Sequence, residues 1–306
     1  MSDKNTFFRV KTTLNIGGYL MDLSAPKVMG VINLTPDSFY QKEEKNRGQL
    51  PQNKEVLYQV EQMLREGAHF IDLGAYSSRP KAEHISEEEE IQRMLPSLRS
   101  IVREFPDAIV SVDTFRSEIA KTAVGEGAKI INDISAGELD SKMFETIAAL
   151  KVPYILMHMK GTPQNMLQHA HYDDVFAEVV GYFQAKIRQL TELGVNDLII
   201  DPGFGFAKNA EHNYTLLNKL DQFKILGMPL LAGLSRKSMI YKQLDTTADQ
   251  ALSGTIAANT IALMKGANIL RVHDVKPAVE AIKIVCKMIT PISGDYTDLE
   301  VYKISK

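Results

Sequence analysis

The sequence predicts an α/β protein, a closed (β/α)8 barrel with a short N-terminal β-hairpin. Three observations carry that prediction. From Lys27 onward, short apolar runs alternate with longer amphipathic ones. Eight such runs, each followed by a helical pattern, fill the span from 27 to 306. Several helix-to-strand junctions repeat one small pattern: "EGAHFIDLG", "EGAKIINDIS", "LGVNDLIIDPG" and "KGANILRVHD". Uninterrupted βα alternation argues for a parallel sheet with helices outside it. A doubly wound open sheet is the alternative, because periodicity does not show closure. "GxGxxG" is absent after the first strand, which counts against a dinucleotide fold.

The elements follow in order. "TLNIGGYLMDL" has apolar runs around Gly17 and Gly18 and reads as the hairpin. Residues 1–26 are then an N-terminal extension, and 27–306 a single barrel domain. The strands are expected at Lys27–Ile32, His69–Leu73, Ala108–Val112, Lys129–Ile131, Pro153–Met157, Asp197–Ile200, Pro229–Ala232 and Asn268–Val272. Helical patterns between and after them include Glu87–Glu104, Phe115–Gly125, Asp174–Leu193, Gln250–Lys265 and Lys276–Met288. At the repeated junctions a glycine precedes the strand, as expected of a left-handed helix C-cap.

Composition narrows the function classes. With 306 residues, 44% of them apolar, the chain has ample surface for a core. Its net charge of −3 forces no basic face, so no nucleic-acid partner is expected. No run approaches the roughly 18 apolar residues of a membrane helix. "MSDKNTFFRVKTTLN" lacks the apolar stretch of a signal peptide. The single Cys286 excludes an internal disulfide framework and reads as a small buried hydrophobe. A soluble cytoplasmic protein is expected.

The strand ends carry the chemistry. "LIIDPGFGFAK", from Leu198 to Lys208, ends an apolar run on a carboxylate followed by two glycines. Other ends deliver Asn33, Asp72, Asp113, Asn132 with Asp133, His158, Ser235-Arg236-Lys237, and Arg271 with His273. In a barrel these termini face one mouth, where active sites are built. Asp72 and Asp133 suit a cap or turn as well as a substrate contact. His158 suits a partly buried structural role as well as a catalytic one. Asp201 is the stronger site candidate, since the glycines after it let a ligand approach the backbone. Adjacent cations at Arg236 and Lys237 are costly unless something anionic or electron-rich sits there.

No phosphate loop, "HExxH", cysteine-based zinc pattern or nucleophile elbow occurs. Arg271 and His273 are two apart on an extended stretch and point the same way. With Asn33 they suit a phosphate or diphosphate, held directly or through a metal. Asp113, Asn132, Asp201 and Lys237 mix donors and acceptors in a way that suits a flat heterocycle.

"GVINLTPDSF", "IDLGAYSSRP", "SVDTFRSEIAKTAVGEGAKIINDISAG", "IIDPGFGFAK", "GLSRKS" and "ANILRVHDV" occur in this order. Together they resemble the dihydropteroate synthase family, the folate-pathway enzymes inhibited by sulfonamides, over about residues 27 to 290. The resemblance implies a TIM barrel, usually a homodimer through late helices. It implies a transferase condensing 6-hydroxymethyl-7,8-dihydropterin diphosphate with p-aminobenzoate, assisted by Mg²⁺, to 7,8-dihydropteroate and diphosphate. By motif match, Asp113, Asn132, Asp201 and Lys237 would bind the pterin. Asn33, Arg271 and His273 would hold the diphosphate, with Asn33 also on the metal. Asp37, Phe39, Ser77, Ser78, Arg79 and Pro80, on two loops, would meet p-aminobenzoate with Phe206 and Ser238. The catalytic set implied is Asn33, Asp37, Arg79, Lys237, Arg271 and His273.

The loops depart from the family pattern. "SFYQKEEKNRG" stands for the usual "SFSDGG", and "GAYSSRPKA" for "GGESTRPG". Ser78 keeps the hydroxyl of the usual Thr, Tyr76 replaces Glu, and Lys81 replaces a common Gly. Two other readings compete. A pterin-dependent methyltransferase domain shares the barrel but normally lacks the "SRK" and "RVHD" set. A non-catalytic pterin-binding paralogue would have no need of Asn33, Arg271 and His273.

Overall fold

The computed structural model describes residues 10–34, 52–78 and 84–289. A hairpin of β1 (Thr13–Ile16) and β2 (Tyr19–Asp22) comes first. Its two-residue turn places Gly17 at φ 61° and Gly18 at φ 93°, the left-handed pair that a tight hairpin of this twist requires.

The barrel then runs β3 (Lys27–Asn33), α1 (Gln52–Glu66), β4 (Phe70–Gly74), α2 (Glu87–Glu104), β5 (Val110–Asp113) and α3 (Ser117–Gly125). It continues with β6 (Ile130–Asp133), α4 (Met143–Leu150), β7 (Tyr154–Met157), α5 (Val175–Glu192), β8 (Leu198–Asp201) and α6 (Ala210–Asn218). The last units are β9 (Leu231–Ala232), α7 (Ser238–Tyr241), α8 (Leu252–Met264), β10 (Ile269–Val272) and α9 (Val275–Ile289). All ladder pairs among β3 to β10 are parallel, in the order β8-β7-β6-β5-β4-β3-β10-β9. A parallel bridge from Ile200 to Leu230 joins the two ends of that order, so the sheet closes into the expected TIM barrel.

Eight strands therefore stand where eight were expected, with edges shifted by a residue or two. β9 is shorter than its apolar run, because Pro229 has no N–H to give the ladder. The short helix α7 and the 3₁₀ turns at Met166–His169 and Leu220–Leu226 lie in stretches too short to show a period. The junction glycines Gly67, Gly127, Gly194 and Gly266 all have positive φ, between 82° and 105°.

Successive strand residues face opposite ways, and this alternation positions everything else. One set, including Val28, Ile71, Val110, Ile131, Leu156, Ile200 and Leu270, packs outward against the helices. The other set faces the lumen. Its lowest layer is Met29, Phe70, Ile130, Ile155, Ile199, Leu231 and Ile269. Leu14, Ile16, Met21 and Leu23 join the same cluster, so the hairpin plugs the lower end of the barrel. Asp197 ties the hairpin down, taking Lys11 Nζ at 2.8 Å and the Asn15 N–H at 3.0 Å. Asn268 adds a bond from Nδ2 to Leu23 O at 3.1 Å. The hairpin is thus the floor of the barrel.

Candidate active site

Two residues above the apolar layer, the same inward row carries Asp72, Ser111, Asn132, Met157, Asp201, Gly233 and Arg271. One step higher stand Asn33, Gly74 and Asp113 at the strand ends, with His273 just beyond β10. The alternation that makes the lower lumen dry makes its upper end polar.

Arg271 is the centre of this layer. Its Nε donates to Asp72 Oδ2 at 2.6 Å and its Nη2 to Asp113 Oδ2 at 2.9 Å. Asn132 Nδ2 donates to the same Asp72 oxygen at 3.0 Å. Burial works against the guanidinium charge, yet the two carboxylates hold its pKa above the usual range. For Asp113 burial dominates and pushes the carboxyl up to about 7, against the pull of Arg271. Asp72 Oδ1 and Ser111 Oγ are buried side-chain atoms without a partner among the described residues. Orphaned acceptors and hydroxyls at this depth mark a lumen built to meet polar groups.

Asp201 and Lys237 face each other across Gly233. A Cβ placed on that glycine would stand 3.7 Å from Asp201 Oδ2, 3.9 Å from Lys237 Nζ and 4.0 Å from Arg271 Cβ. Any side chain there would fill the space between them. Gly74 does the same on the opposite wall, 3.8 Å from Asn33 Oδ1 and 3.9 Å from Asp113 Oδ2 by the same construction. Asp201 Oδ1 accepts the Gly203 N–H at 2.8 Å, which leaves Oδ2 toward the mouth. Burial raises its pKa, with Lys237 opposing. Lys237 is lowered to about 8, by burial first, with Asp201 resisting. Its Nζ donates to Phe204 O and lies 4.8 Å from the centroid of the Phe206 ring. His273 Nδ1 is 3.1 Å from Ser235 Oγ.

The structure thus brings Asn33, Asp113, Asn132, Asp201, Lys237, Arg271 and His273 to one mouth, with Phe206 at its edge. Ser77 and Ser78 follow β4, half-buried, and Ser238 is exposed at the start of α7. Asp37, Phe39, Arg79 and Pro80 lie outside the described residues.

Three strand-end groups do not join them. Asp133, His158 and Arg236 are out of step with the inward row. Asp133 turns to the helices, where Tyr154 Oη (2.6 Å), Ser135 N and Oγ (2.7 and 2.8 Å) and Gly137 N (2.8 Å) satisfy it. His158 lies behind the wall with Tyr182 edge-on at 4.8 Å, and burial lowers its pKa to about 2. Arg236 donates two hydrogen bonds to Asp274, from Nε to Oδ2 at 2.9 Å and from Nη2 to Oδ1 at 2.8 Å. The anion that the Arg236–Lys237 pair called for is therefore Asp274 in the case of Arg236, not a ligand.

An apolar cluster that motif reading passed over borders the mouth: Phe115, Ile134, Met157, Met159 and Met166, with Tyr76 and Phe206 against it. Inward parity on β6 and β7 was the available signal for Ile134, Met157 and Met159. Tyr76, the departure from the usual Glu, packs on Phe115 at 5.0 Å between centroids. Its hydroxyl meets His84 Nδ1 at 3.1 Å and accepts from Gln164 Nε2 at 2.8 Å.

Comparison with known proteins agrees with this geometry. A family model described as "Pterin binding enzyme" matches residues 29–273. Dihydropteroate synthase of Escherichia coli K12 is 43% identical over 270 residues, which cover 88% of this chain and 93% of that protein. The Yersinia pestis dihydropteroate synthase, solved as a sulfonamide drug complex, is 40% identical with a TM-score of 0.83, covering 90% of this chain and 98% of that one. The Xanthomonas albilineans enzyme in complex with 7,8-dihydropteroate is 35% identical with a TM-score of 0.80, covering 91% and 100%. The chain belongs to the pterin binding enzymes and, among them, to the dihydropteroate synthase family.

Proposed function

We propose that this chain is a dihydropteroate synthase, joining 6-hydroxymethyl-7,8-dihydropterin diphosphate to p-aminobenzoate. The observation that carries the reading is the pairing, in one mouth, of an acceptor set with a cationic set. Asp113, Asn132 and Asp201 suit the N–H groups of a pterin edge, because an ionised carboxylate only accepts. Lys237 joins them as a donor to the same ring, while Asn33, Arg271 and His273 lie beside them and suit a diphosphate. A pterin-dependent methyltransferase domain has no use for the second set.

The reaction is a substitution at the pterin methylene. The C–O bond to diphosphate breaks, the leaving group takes the electron pair, and the aniline nitrogen forms the new C–N bond. The arylammonium then loses its proton. Arg271 and His273 would take up the charge that develops on the departing diphosphate. Asp201 would hold the pterin ring so that its electrons stabilise the methylene cation. No residue need act as nucleophile.

Mg²⁺ fits the donors present. Asn33 Oδ1 stands beside Asp113 at the mouth, and Mg²⁺ takes few protein ligands when phosphate oxygens and water complete its shell. When bound it would neutralise diphosphate charge as the bond breaks. Asn33 would be its protein ligand. Ser77, Ser78, Phe206 and Ser238 would border p-aminobenzoate, with Asp37, Phe39, Arg79 and Pro80 of the two loops. Among the described residues, no helix is long and apolar enough to cross a membrane. The single Cys286 supports a reducing, cytoplasmic setting.

A homodimer belongs to the proposal. Ile261, Met264, Ile284, Met288 and Ile289 are 44 to 72% exposed on the neighbouring helices α8 and α9. An apolar face of that kind supports burial against a partner. Sedimentation should give a dimer, and Ile284→Glu a monomer; a monomeric wild type removes this part.

The function is tested by diphosphate release from purified protein given pterin diphosphate, Mg²⁺ and p-aminobenzoate, each omitted in turn. Release needing all three, with dihydropteroate formed, supports the synthase. Pterin binding without release favours the non-catalytic paralogue.

A further inference from the structure

A charged side chain behind the mouth has no place in the reaction. Lys208 ends the stretch "DPGFGFAK" and is only 4% exposed. Its Nζ meets His158 Nδ1 at 2.9 Å, Phe206 O at 3.0 Å, Gly203 O at 3.1 Å and His158 O at 3.2 Å. Burial pushes its pKa well down. His158 is kept neutral by burial and by that neighbouring cation, so Nδ1 is free to accept. A buried ammonium costs more than an apolar chain of its size unless its partners need it. Here three of the partners are backbone carbonyls, and two of those belong to the turn that leaves β8.

That turn is held from both sides. On the mouth side, Lys237 takes Phe204 O. Behind, Lys208 takes Gly203 O and Phe206 O, and Tyr172 Oη donates to Ala207 O at 2.9 Å. The turn lies directly on the end of β7. A Cβ on Gly203, at φ 70°, would fall 2.1 Å from His158 O, so only glycine permits the approach. Lys208 bridges the same carbonyl to the turn. The Phe206 ring is thus set by a backbone whose carbonyls are fixed. Of the pterin residues, Asp113 and Asn132 stand on other strands, and Asp201 and Lys237 meet the turn only at the Gly203 N–H and Phe204 O, neither of which Lys208 touches.

We propose that Lys208 is a positioning residue, whose buried Nζ locks the 203–207 turn onto the end of β7 and so sets the Phe206 ring at the p-aminobenzoate half of the site. The assignment rests on the synthase reading above. Lys208 touches neither substrate. It acts through Phe206, so its loss is felt by the amine substrate first and by the pterin least.

Steady-state kinetics of Lys208→Met test this, with both substrates varied. The expected result is a KM for p-aminobenzoate raised about tenfold or more, the scale of a misplaced contact, with KM for pterin diphosphate nearly unchanged. A double mutant with Phe206→Leu should lose less than the two single losses combined, because both act on one ring. A purely structural role would lower the concentration of active enzyme, reducing kcat with both KM values intact, and would overturn the proposal. So would an equal rise in both. Should Lys208→Met fail to fold, His158→Leu removes one acceptor and leaves the three carbonyls. It should shift the same KM in the same direction by a smaller factor, and no shift would sink the idea. Wild-type protein run alongside keeps the two claims apart: absent turnover there counts against the synthase reading and not against Lys208.

Discussion

Asp133 and Asp201 both end a barrel strand as buried carboxylates, and they do opposite work. Asp133 faces the helices, and four donors from Ser135, Gly137 and Tyr154 exhaust it. Asp201 faces the lumen, spends one oxygen on Gly203 N, and leaves the other beside Lys237. The difference is one step in strand alternation. Residue type does not separate a structural acid from a site acid here, but the face on which it stands does.

The largest effect should come from the outer face. Asp133→Ala strands the Tyr154 hydroxyl and two backbone N–H groups, and should lower stability by about 3 kcal/mol. Denaturant unfolding reads this, and KM for both substrates should hold in the protein that remains folded. A shifted KM for pterin diphosphate would break the contrast. On the inner face, Asp201→Asn should weaken pterin diphosphate binding by roughly 2 kcal/mol, since a charged acceptor becomes an amide. Calorimetry measures it, and unchanged affinity would remove Asp201 from the site.

The smallest effect sharpens the comparison through pH. Asp113 starts near 7 in the free protein. A ligand donating to its carboxylate lowers that value, so affinity is complete above about 7 and is lost as pH falls below it, by at most about tenfold per unit. Lys237 starts near 8, and a ligand that accepts from its ammonium raises it, so affinity falls again as pH rises through about 8. Binding of pterin diphosphate should therefore peak between the two. Asp113→Asn should flatten the acid limb alone, and an unaltered limb would assign it to another group.

Much of this was legible before any coordinates. The eight strands, the hairpin turn at Gly17-Gly18 and the glycines before the strands follow from period, length and punctuation. The polar strand ends identified Asp113, Asn132, Asp201, Lys237 and Arg271 as companions. The sorting of those ends was harder. Asp133 and Asn132 are neighbours in sequence, and which one faces in depends on strand bounds known only to within a residue or two. The partners were harder still. Asp72 meets Arg271 across 199 positions and His158 meets Lys208 across 50. No local pattern links them, because closure of the barrel through β3 and β10 brings the first pair together and the pairing of β7 with β8 the second. Tyr76 was visible as a departure, while its contacts with Phe115, His84 and Gln164 needed the fold.

The strict alternation of the barrel wall also restricts how such a protein can change over generations. Deleting one residue within β8 before Asp201 would turn that carboxylate to the helices and bring an isoleucine into the lumen. A change of strand length therefore destroys the site at a stroke, whereas substitution at an inward position alters one contact at a time. Insertions and deletions are left to the loops that join each strand to the next helix, where no alternation has to be kept.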